Sequence, residues 1–149
     1  MIEGVKHVPL RRIPDERGTV MHMLRRDDPH FIDFGEIYFS TVYAGVVKGW
    51  HQQEDMTRCY ACVHGRIKLV AYDDRAGSPT LGEINEFFLG PDDYGLVIIP
   101  PGVWNGFKGM SQPEAIVANC CTRPHDAGRS SRKPPHGSDI PYSWETREH

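Results

Sequence analysis

The residues best suited to proton chemistry in this sequence lie in two short segments. Residues 49–53 read GWHQQ and carry His51, and residues 100–107 read PPGVWNGF. A histidine has an unperturbed pKa of about 6.5, which leaves a neutral imidazole available near neutral pH, so His51 could act as a general base. A lone histidine that is hydrogen-bonded inside a β-barrel would have the same sequence signature. The residues alone leave both interpretations open.

Four cysteines have the chemistry of zinc ligands but not the arrangement. They occur as Cys59-x-x-Cys62 and Cys120-Cys121. Structural zinc ligands usually lie on turns, whereas Cys59 and Cys62 fall in the strand-like segment RCYACVHG. Adjacent residues, and residues three apart, point to opposite faces of a strand. We therefore predict buried, reduced thiols that pack as small apolar groups, and no metal site.

The composition bounds the class of protein. With 149 residues, of which 39% are hydrophobic and 25% charged, the chain is expected to form one soluble domain. A formal charge of -3 gives no general affinity for nucleic acid. The sequence has no apolar run near the roughly 20 residues that span a bilayer, and no signal-peptide core. These features predict a cytoplasmic protein that binds neither nucleic acid nor membranes.

Short apolar segments separated by turn residues indicate an all-β fold. β-branched and aromatic residues are concentrated in these segments, and glycine, proline and aspartate fill the intervals. The predicted strands cover residues 5–13, 19–24, 37–47, 58–63, 67–72, 83–89, 95–99 and 115–121. Because no long amphipathic helix interrupts them, the pattern is typical of an antiparallel sandwich or barrel.

The composition changes after residue 126. Residues 127–149 are rich in glycine, serine, proline and charge. We therefore predict a domain at residues 1–126 and an irregular tail at residues 127–149 that packs on it. Tyr142 and Trp144 would anchor this tail to the domain surface, or the tail would cross the mouth of a pocket.

Several ordered motifs resemble those of one known family. Residues 48–53 (KGWHQQ) correspond to an Arg-Gly-Leu-His-Tyr-Gln strand, and residues 99–111 (IPPGVWNGFKGMS) to an IPPGxxHGFxxLS segment. Residues 15–18 (DERG) and 74–80 (DRAGSPT) complete a pattern that covers roughly residues 10–123. In these motifs the sequence resembles the dTDP-4-dehydrorhamnose 3,5-epimerase family of the cupin superfamily.

The resemblance implies a fold, an assembly and a reaction. The fold would be a cupin double-stranded β-helix (jelly roll), in a homodimer that exchanges strands between its subunits. The substrate would be a nucleoside-diphosphate 4-keto-6-deoxyhexose, and no cofactor is expected. The family removes a proton beside the C4 ketone and returns one on the opposite face. This chemistry needs a base, an acid, a group that stabilises the enolate, and cations for the diphosphate.

The resemblance also implies roles for individual residues. His51 would be the base, Arg58 would stabilise the enolate or bind phosphate, and Asp139 is the nearest candidate for the carboxylate that orients the histidine. The expected substrate contacts are Arg17, Ser40, Lys48, Gln53, Trp104 and Asn105. Each of these residues could instead have no role in function. The charged residues would then be solvated at the surface, the hydroxyl group would lie on a strand, and the aromatic residue would fill the core.

Two positions depart from the pattern of the family. Asn105 replaces a histidine, and Ala118 lies where alignment of the strand places the tyrosine acid of the family. The base would then act with water or with another tyrosine, such as Tyr43, Tyr60 or Tyr142. Inversion at C3, C5 or both, isomerisation with His51 as the sole proton carrier, and binding of sugar nucleotides without turnover all fit the sequence.

A metal-dependent cupin, such as a dioxygenase, is the competing class. Its site requires an HxH pair with a following Glu, and a second histidine after the PxG turn. Here the pair reads His51-x-Gln53 and the later position is Asn105. The histidines at His22, His64 and His125 lie outside the motif positions. Because a 2-His-1-carboxylate site cannot be built from one matched histidine, the motifs predict no metal.

Overall fold

Twelve β-strands make up most of the regular structure in the computed structural model, which describes residues 1–148. The strands are β1 (Lys6–Pro9), β2 (Arg12–Asp15), β3 (Gly18–Met21), β4 (Glu36–Tyr43), β5 (Val47–Gln53), β6 (Arg58–His64), β7 (Ile67–Tyr72), β8 (Ile84–Leu89), β9 (Gly95–Ile99), β10 (Trp104–Gly109), β11 (Glu114–Cys121) and β12 (Ser130–Lys133). A single 3-10 turn, Ala127–Arg129, precedes β12. His149, the last residue of the predicted tail, lies outside the described residues.

The strands form two five-stranded antiparallel sheets and a separate hairpin. The first sheet has the order β1-β9-β6-β11-β4, and the second has the order β12-β5-β10-β7-β8. Strands β2 and β3 pair with each other as a two-stranded sheet. Most neighbours within a sheet are distant in sequence, so the chain crosses repeatedly between the two sheets.

The main hydrophobic core lies between the two sheets. Tyr60 and Cys62 of β6 pack in it with Leu69 and Ala71 of β7 and with Phe107 of β10. Residues two apart on a strand point to the same face, which is why these pairs share one core. Burying a large apolar side chain of this kind contributes about 1.5–3 kcal/mol. The core therefore holds the two inner faces at a fixed separation.

The predicted strands agree with the structure where apolar and aromatic residues are concentrated. The predictions for residues 58–63, 67–72, 83–89, 95–99 and 115–121 match β6, β7, β8, β9 and β11 within one residue at either end. Strand β10, with the sequence WNGFKG, was not predicted because asparagine and glycine are depleted in strands. It forms because it hydrogen-bonds to β5 on one side and to β7 on the other.

The segment predicted as an irregular tail contains a strand and an aromatic anchor. Strand β12 pairs with β5 at the edge of the second sheet. Ile140 and Trp144 are 5% and 2% exposed and pack with Trp50 on the outer face of the same sheet. Residues 130–133 therefore extend the second sheet, and the residues that follow cover it.

The four cysteines are free and buried, as predicted. Cys59 and Cys120 occupy directly paired positions on β6 and β11. Within residues 1–148, no three His, Cys, Asp or Glu side chains are grouped so that they could hold a metal ion. In the same range, no helix is long and apolar enough to cross a membrane.

Candidate active site

An irregularity in the pairing of β5 with β10 places Lys48 and His51 on one face of the second sheet. On β10, Asn105 pairs with His51 and Phe107 pairs with Lys48. Two residues of β5 lie between these pairs, but only Gly106 lies between them on β10. Positions three apart on a regular strand point to opposite faces, whereas this β-bulge brings both side chains to the inner face. A Cβ at position 106 would lie 3.0 Å from the carbonyl oxygen of Lys48, so glycine permits the close approach.

The inner faces of the two sheets enclose a cavity. Lys48, His51 and Gln53 reach it from β5, and Tyr38 and Ser40 reach it from β4 of the opposite sheet. The complete lining consists of Tyr38, Ser40, Lys48, His51, Gln53, Arg58, Tyr60, Phe107, Val117, Asn119, His125 and Arg132.

The cavity is lined by positive charge. Lys48, Arg58 and Arg132 supply three cations, and among the lining residues of the described chain there is no Asp or Glu. Arg58 is only 4% exposed, so its charge acts in a medium of low dielectric constant. A group of cations without carboxylate partners is suited to a multiply charged anion such as a diphosphate.

The imidazole of His51 is neutral in this setting. Partial burial lowers the pKa of His51 to about 4, and the charges of Arg58 and Arg132 act in the same direction. Arg132 contributes because its position on β12 pairs directly with His51 on β5. A neutral imidazole can accept a proton from a bound molecule.

Arg58 connects the wall of the cavity to the strand that carries His51. Its Nη2 donates to Oδ1 of Asn105, and more weakly to the backbone oxygen of His51 at 3.4 Å. Its guanidinium carbon lies 5.8 Å from the centroid of the Tyr60 ring. Because Asn105 pairs with His51 across β10 and β5, this bond sets the position of Arg58 relative to the imidazole.

Three buried polar atoms at the cavity have no hydrogen-bond partner among residues 1–148. They are Nε of Arg58, Oε1 of Gln53 and Oδ1 of Asn119. The three residues are 4%, 6% and 1% exposed. Leaving such a group unpaired costs about 1–3 kcal/mol, so these atoms are suited to bind polar groups of a ligand.

The residue of β11 that faces the cavity beside Tyr38 is Asn119, not Ala118. Val117 and Asn119 both line the cavity, and Ala118 between them points to the other face of the sheet. There Ala118 pairs with Ala61, which belongs to an outer apolar cluster. Ala118, the residue aligned with the family's tyrosine acid, therefore contributes no side chain to the cavity.

Most of the predicted site residues meet at the cavity. Nζ of Lys48 donates to Oγ of Ser40 at 2.7 Å, which links the two sheets across the opening. Asn105 lies behind this lining and is held by Arg58. The predicted residues that line the cavity are Ser40, Lys48, His51, Gln53 and Arg58.

Trp104 and Asp139 do not reach the cavity, contrary to the sequence prediction. The Trp104 side chain packs on the outer face of the second sheet, and its Nε1 donates to Asp74 at 2.8 Å. Asp139 is bound by Nζ of Lys133 at 2.6 Å. Trp104 lies on the outer face of this sheet, and Asp139 belongs to the tail that covers that face. His51 projects from the inner face, so neither residue can reach it.

Arg17 lies on the separate hairpin formed by β2 and β3. Its Nη2 donates to Asp15 of the same hairpin at 2.6 Å, and both side chains are largely exposed. Within a single chain, Arg17 is not among the residues that line the cavity. The expected contact with a diphosphate is therefore not made by this arrangement alone.

Sequence reasoning missed four polar residues that line the cavity: Tyr38, Asn119, His125 and Arg132. Tyr38 could have been found, because it lies two residues before Ser40 on β4 and so faces the same way. Asn119 required the correct register of β11. Arg132 and His125 follow the last predicted strand, where no local pattern indicates the path of the chain.

Comparison with known proteins identifies the family. The sequence pattern of the dTDP-4-dehydrorhamnose 3,5-epimerase family matches residues 1–147. The chain belongs to this family. A probable low-salt glycan biosynthesis epimerase of Haloferax volcanii, Agl13, is 35% identical over 130 residues, which cover 86% of this chain and 80% of that protein. The spore coat polysaccharide biosynthesis protein SpsL of Bacillus subtilis is 29% identical over 148 residues, with 98% of both chains covered.

A solved structure supports membership of the dTDP-4-dehydrorhamnose 3,5-epimerase family. The crystal structure of a dTDP sugar isomerase from Desulfovibrio desulfuricans matches with a TM-score of 0.93 at 47% identity, and covers 96% of this chain and 92% of that chain. The predicted all-β cupin fold is confirmed by this likeness. By its family, the protein is an enzyme of the sugar-nucleotide epimerase class.

Proposed function

We propose that the protein epimerises a nucleoside-diphosphate 4-keto-6-deoxyhexose at C3, at C5 or at both. The observation that carries this proposal is the cavity in which the neutral imidazole of His51 lies beside Lys48, Arg58 and Arg132. Such a cavity combines a base with cations that suit a diphosphate. Membership of the epimerase family supports the same substrate class.

In this proposal, the cations hold the substrate. Lys48 and Arg132 lie on neighbouring strands of the second sheet and would bind the diphosphate oxygens. Ser40, which accepts a hydrogen bond from Lys48, would help to fix the same oxygens. The unpaired Oε1 of Gln53 would accept a hydrogen bond from a sugar hydroxyl group. These contacts would orient the sugar ring toward His51.

His51 would remove the proton from the carbon beside the ketone. The electron pair of the broken C–H bond would move onto the carbonyl oxygen and form an enolate. The buried guanidinium of Arg58 would stabilise that negative charge, and a fixed charge at a buried site is most effective there. Asn105 is engaged by Arg58, so we assign it a positioning role and not direct contact with the sugar.

NMR can test this proposal by monitoring the exchange of the sugar protons at C3 and C5 for deuterium. The purified protein is incubated in D2O with dTDP-, GDP-, UDP- and CDP-4-keto-6-deoxy sugars. We expect deuterium to enter at C3 or C5 of at least one sugar, which would identify both the substrate and the carbon. Absence of exchange on every sugar, together with saturable binding of a nucleotide, would overturn the epimerase proposal.

Nucleotide binding without exchange would support a second candidate function, a binding module without turnover. One observation favours this alternative: Asp139, the candidate carboxylate for orienting His51, is bound to Lys133. The cations at the cavity would bind a sugar nucleotide whether or not the proton is transferred. Exchange in D2O separates the two functions because only turnover breaks the C–H bond.

We further propose that the protein works as a homodimer. Ile37, Phe39 and Tyr43 form an exposed row on β4, the edge strand of the first sheet, and are 47%, 65% and 67% exposed. Exposed apolar side chains on a sheet edge favour association. The β2–β3 hairpin, which pairs with neither large sheet in the described chain, would then carry Arg17 to the cavity of the partner.

We assign this activity to the cytoplasm. The four cysteines are free, although Cys59 and Cys120 are paired positions on adjacent strands. Free thiols are typical of a reducing compartment.

A further inference from the structure

The reaction proposed above requires an acid, and the cavity contains two tyrosines. Tyr38 reaches it from β4 of the first sheet, and Tyr60 from β6 of the same sheet. His51 reaches it from the second sheet. Because the two sheets face each other across the cavity, a sugar ring bound between them would present opposite faces to His51 and to these tyrosines. Inversion at carbon needs a base and an acid on opposite faces.

Tyr38 is held by a buried amide. Asn119 is 1% exposed and pairs directly with Tyr38 across β11 and β4. Its Nδ2 donates to the phenol oxygen of Tyr38 at 2.8 Å. Because that oxygen accepts the bond, its own O–H remains available to donate into the cavity. The same bond would stabilise the phenolate that forms when the proton leaves.

The other tyrosines are less suited to this role. Tyr60 is 4% exposed, and its ring contacts the guanidinium of Arg58 and the ring of Phe107. Tyr43 is 67% exposed and is separated from Tyr38 by an odd number of positions, so it faces away from the cavity. Tyr142 donates to Glu86 on the outer face of the second sheet.

We propose that Tyr38 is the proton donor opposite His51, and that Asn119 positions its hydroxyl group. This inference rests on the proposed epimerase function. His51 takes the proton from the carbon beside the ketone, and the electron pair forms the enolate. The enolate then collapses to the ketone while its carbon forms a new C–H bond with the phenol proton of Tyr38 on the other face. Solvent returns a proton to the phenolate and removes one from the imidazolium.

The protonation state and the exposure of Tyr38 agree with this role. Partial burial, with the nearby Tyr60 and Cys121, raises the pKa of the Tyr38 phenol above its usual value, so the hydroxyl group carries its proton at neutral pH. The residue is 45% exposed, so solvent can restore the proton after each turnover. A donor sealed in the core would lack that exchange.

The experiment compares Tyr38→Phe with the wild-type protein in D2O, on a 4-keto sugar that the wild type epimerises. Deuterium uptake with retained configuration measures proton removal and return by His51 on one face of the sugar. Inversion measures proton delivery by the acid on the opposite face. We expect Tyr38→Phe to lose inversion by about 100-fold or more, as is usual for loss of a general acid, and to keep deuterium uptake within about tenfold. Tyr72→Phe, the same change at a tyrosine that packs on the outer face of the second sheet and does not line the cavity, should behave as the wild type.

Every other outcome overturns the inference in a distinguishable way. If Tyr38→Phe inverts the substrate at the wild-type rate, Tyr38 is not the acid and the epimerase function stands. If Tyr60→Phe shows exchange without inversion and Tyr38→Phe does not, the acid is Tyr60. If the wild type neither exchanges nor inverts any sugar, the epimerase function fails and the acid fails with it. Nucleotide affinity and thermal unfolding of each variant check that the fold and the cavity are intact.

Discussion

At the scale of single residues, the charge around His51 decides what the imidazole can do. Burial and the neighbouring cations favour the neutral form, so its pKa falls to about 4. A base must be unprotonated to act, and His51 is unprotonated at any pH above that value. The rate of exchange at low substrate concentration should therefore fall only as the pH drops through about 4, and not near 6.5, the usual pKa of histidine.

A titration by NMR would test the origin of this shift. In Arg132→Ala, the loss of one cation beside the imidazole should move the pKa of His51 upward, toward 6.5. Arg123→Ala is the matched control, because Arg123 is bound to Asp55 and does not line the cavity. An unchanged titration in Arg132→Ala, or an equal shift in the control, would contradict the account.

At the scale of the elements, the sequence predicts some of the site well and some of it poorly. The strands rich in apolar and aromatic residues are evident from composition, His51 and Lys48 follow from the motifs, and Ser40 follows from the resemblance to the family. The bulge between β5 and β10 is not evident, because it depends on how two distant segments pair. Strand β12 is also hidden, since SSRK has little strand propensity and forms only by pairing with β5. Arg132 therefore enters the cavity from a segment that looks irregular.

The bulge gives a prediction at Gly106. A methyl group there would meet the backbone of β5 at 3.0–3.3 Å, so Gly106→Ala should destabilise the protein by about 1–3 kcal/mol. It should also weaken nucleotide binding, because Lys48 and His51 share a face only through the bulge. Urea unfolding and nucleotide titration would measure both effects. Gly128→Ala, where the nearest heavy atom is a side-chain oxygen of Asp126 at 3.3 Å, should change stability by less than about 0.5 kcal/mol.

The aromatic anchor of the tail gives a second prediction. The ring of Trp144 lies 5.2 Å from that of Trp50 and 5.0 Å from that of Tyr142. Trp144→Ala should cost about 3–5 kcal/mol in unfolding free energy, whereas Trp144→Phe should cost less. Since the same tail carries β12, the alanine variant should also bind nucleotide more weakly through the loss of Arg132. Unchanged nucleotide affinity in a destabilised Trp144→Ala would show that β12 stays in place without the anchor.

At the scale of the whole molecule, the exposed row on β4 predicts self-association. Phe39→Asp would place a charge in the middle of this row, so we expect a dimer of the wild type to become a monomer in light scattering. Phe88→Asp is the matched control, since Phe88 is 41% exposed on β8, the edge strand of the other sheet. A wild type that is monomeric at all concentrations, or a Phe39→Asp variant that stays dimeric, would contradict the proposed assembly.

In the proposed mechanism, His51 breaks the C–H bond of the substrate. The most direct measurement is the rate of deuterium uptake beside the ketone in D2O by His51→Asn, with His125→Asn as the control from the same cavity. We predict that His51→Asn loses uptake by about 100-fold or more and keeps its affinity for the nucleotide, while His125→Asn retains uptake. Uptake at the wild-type rate in His51→Asn would contradict the account.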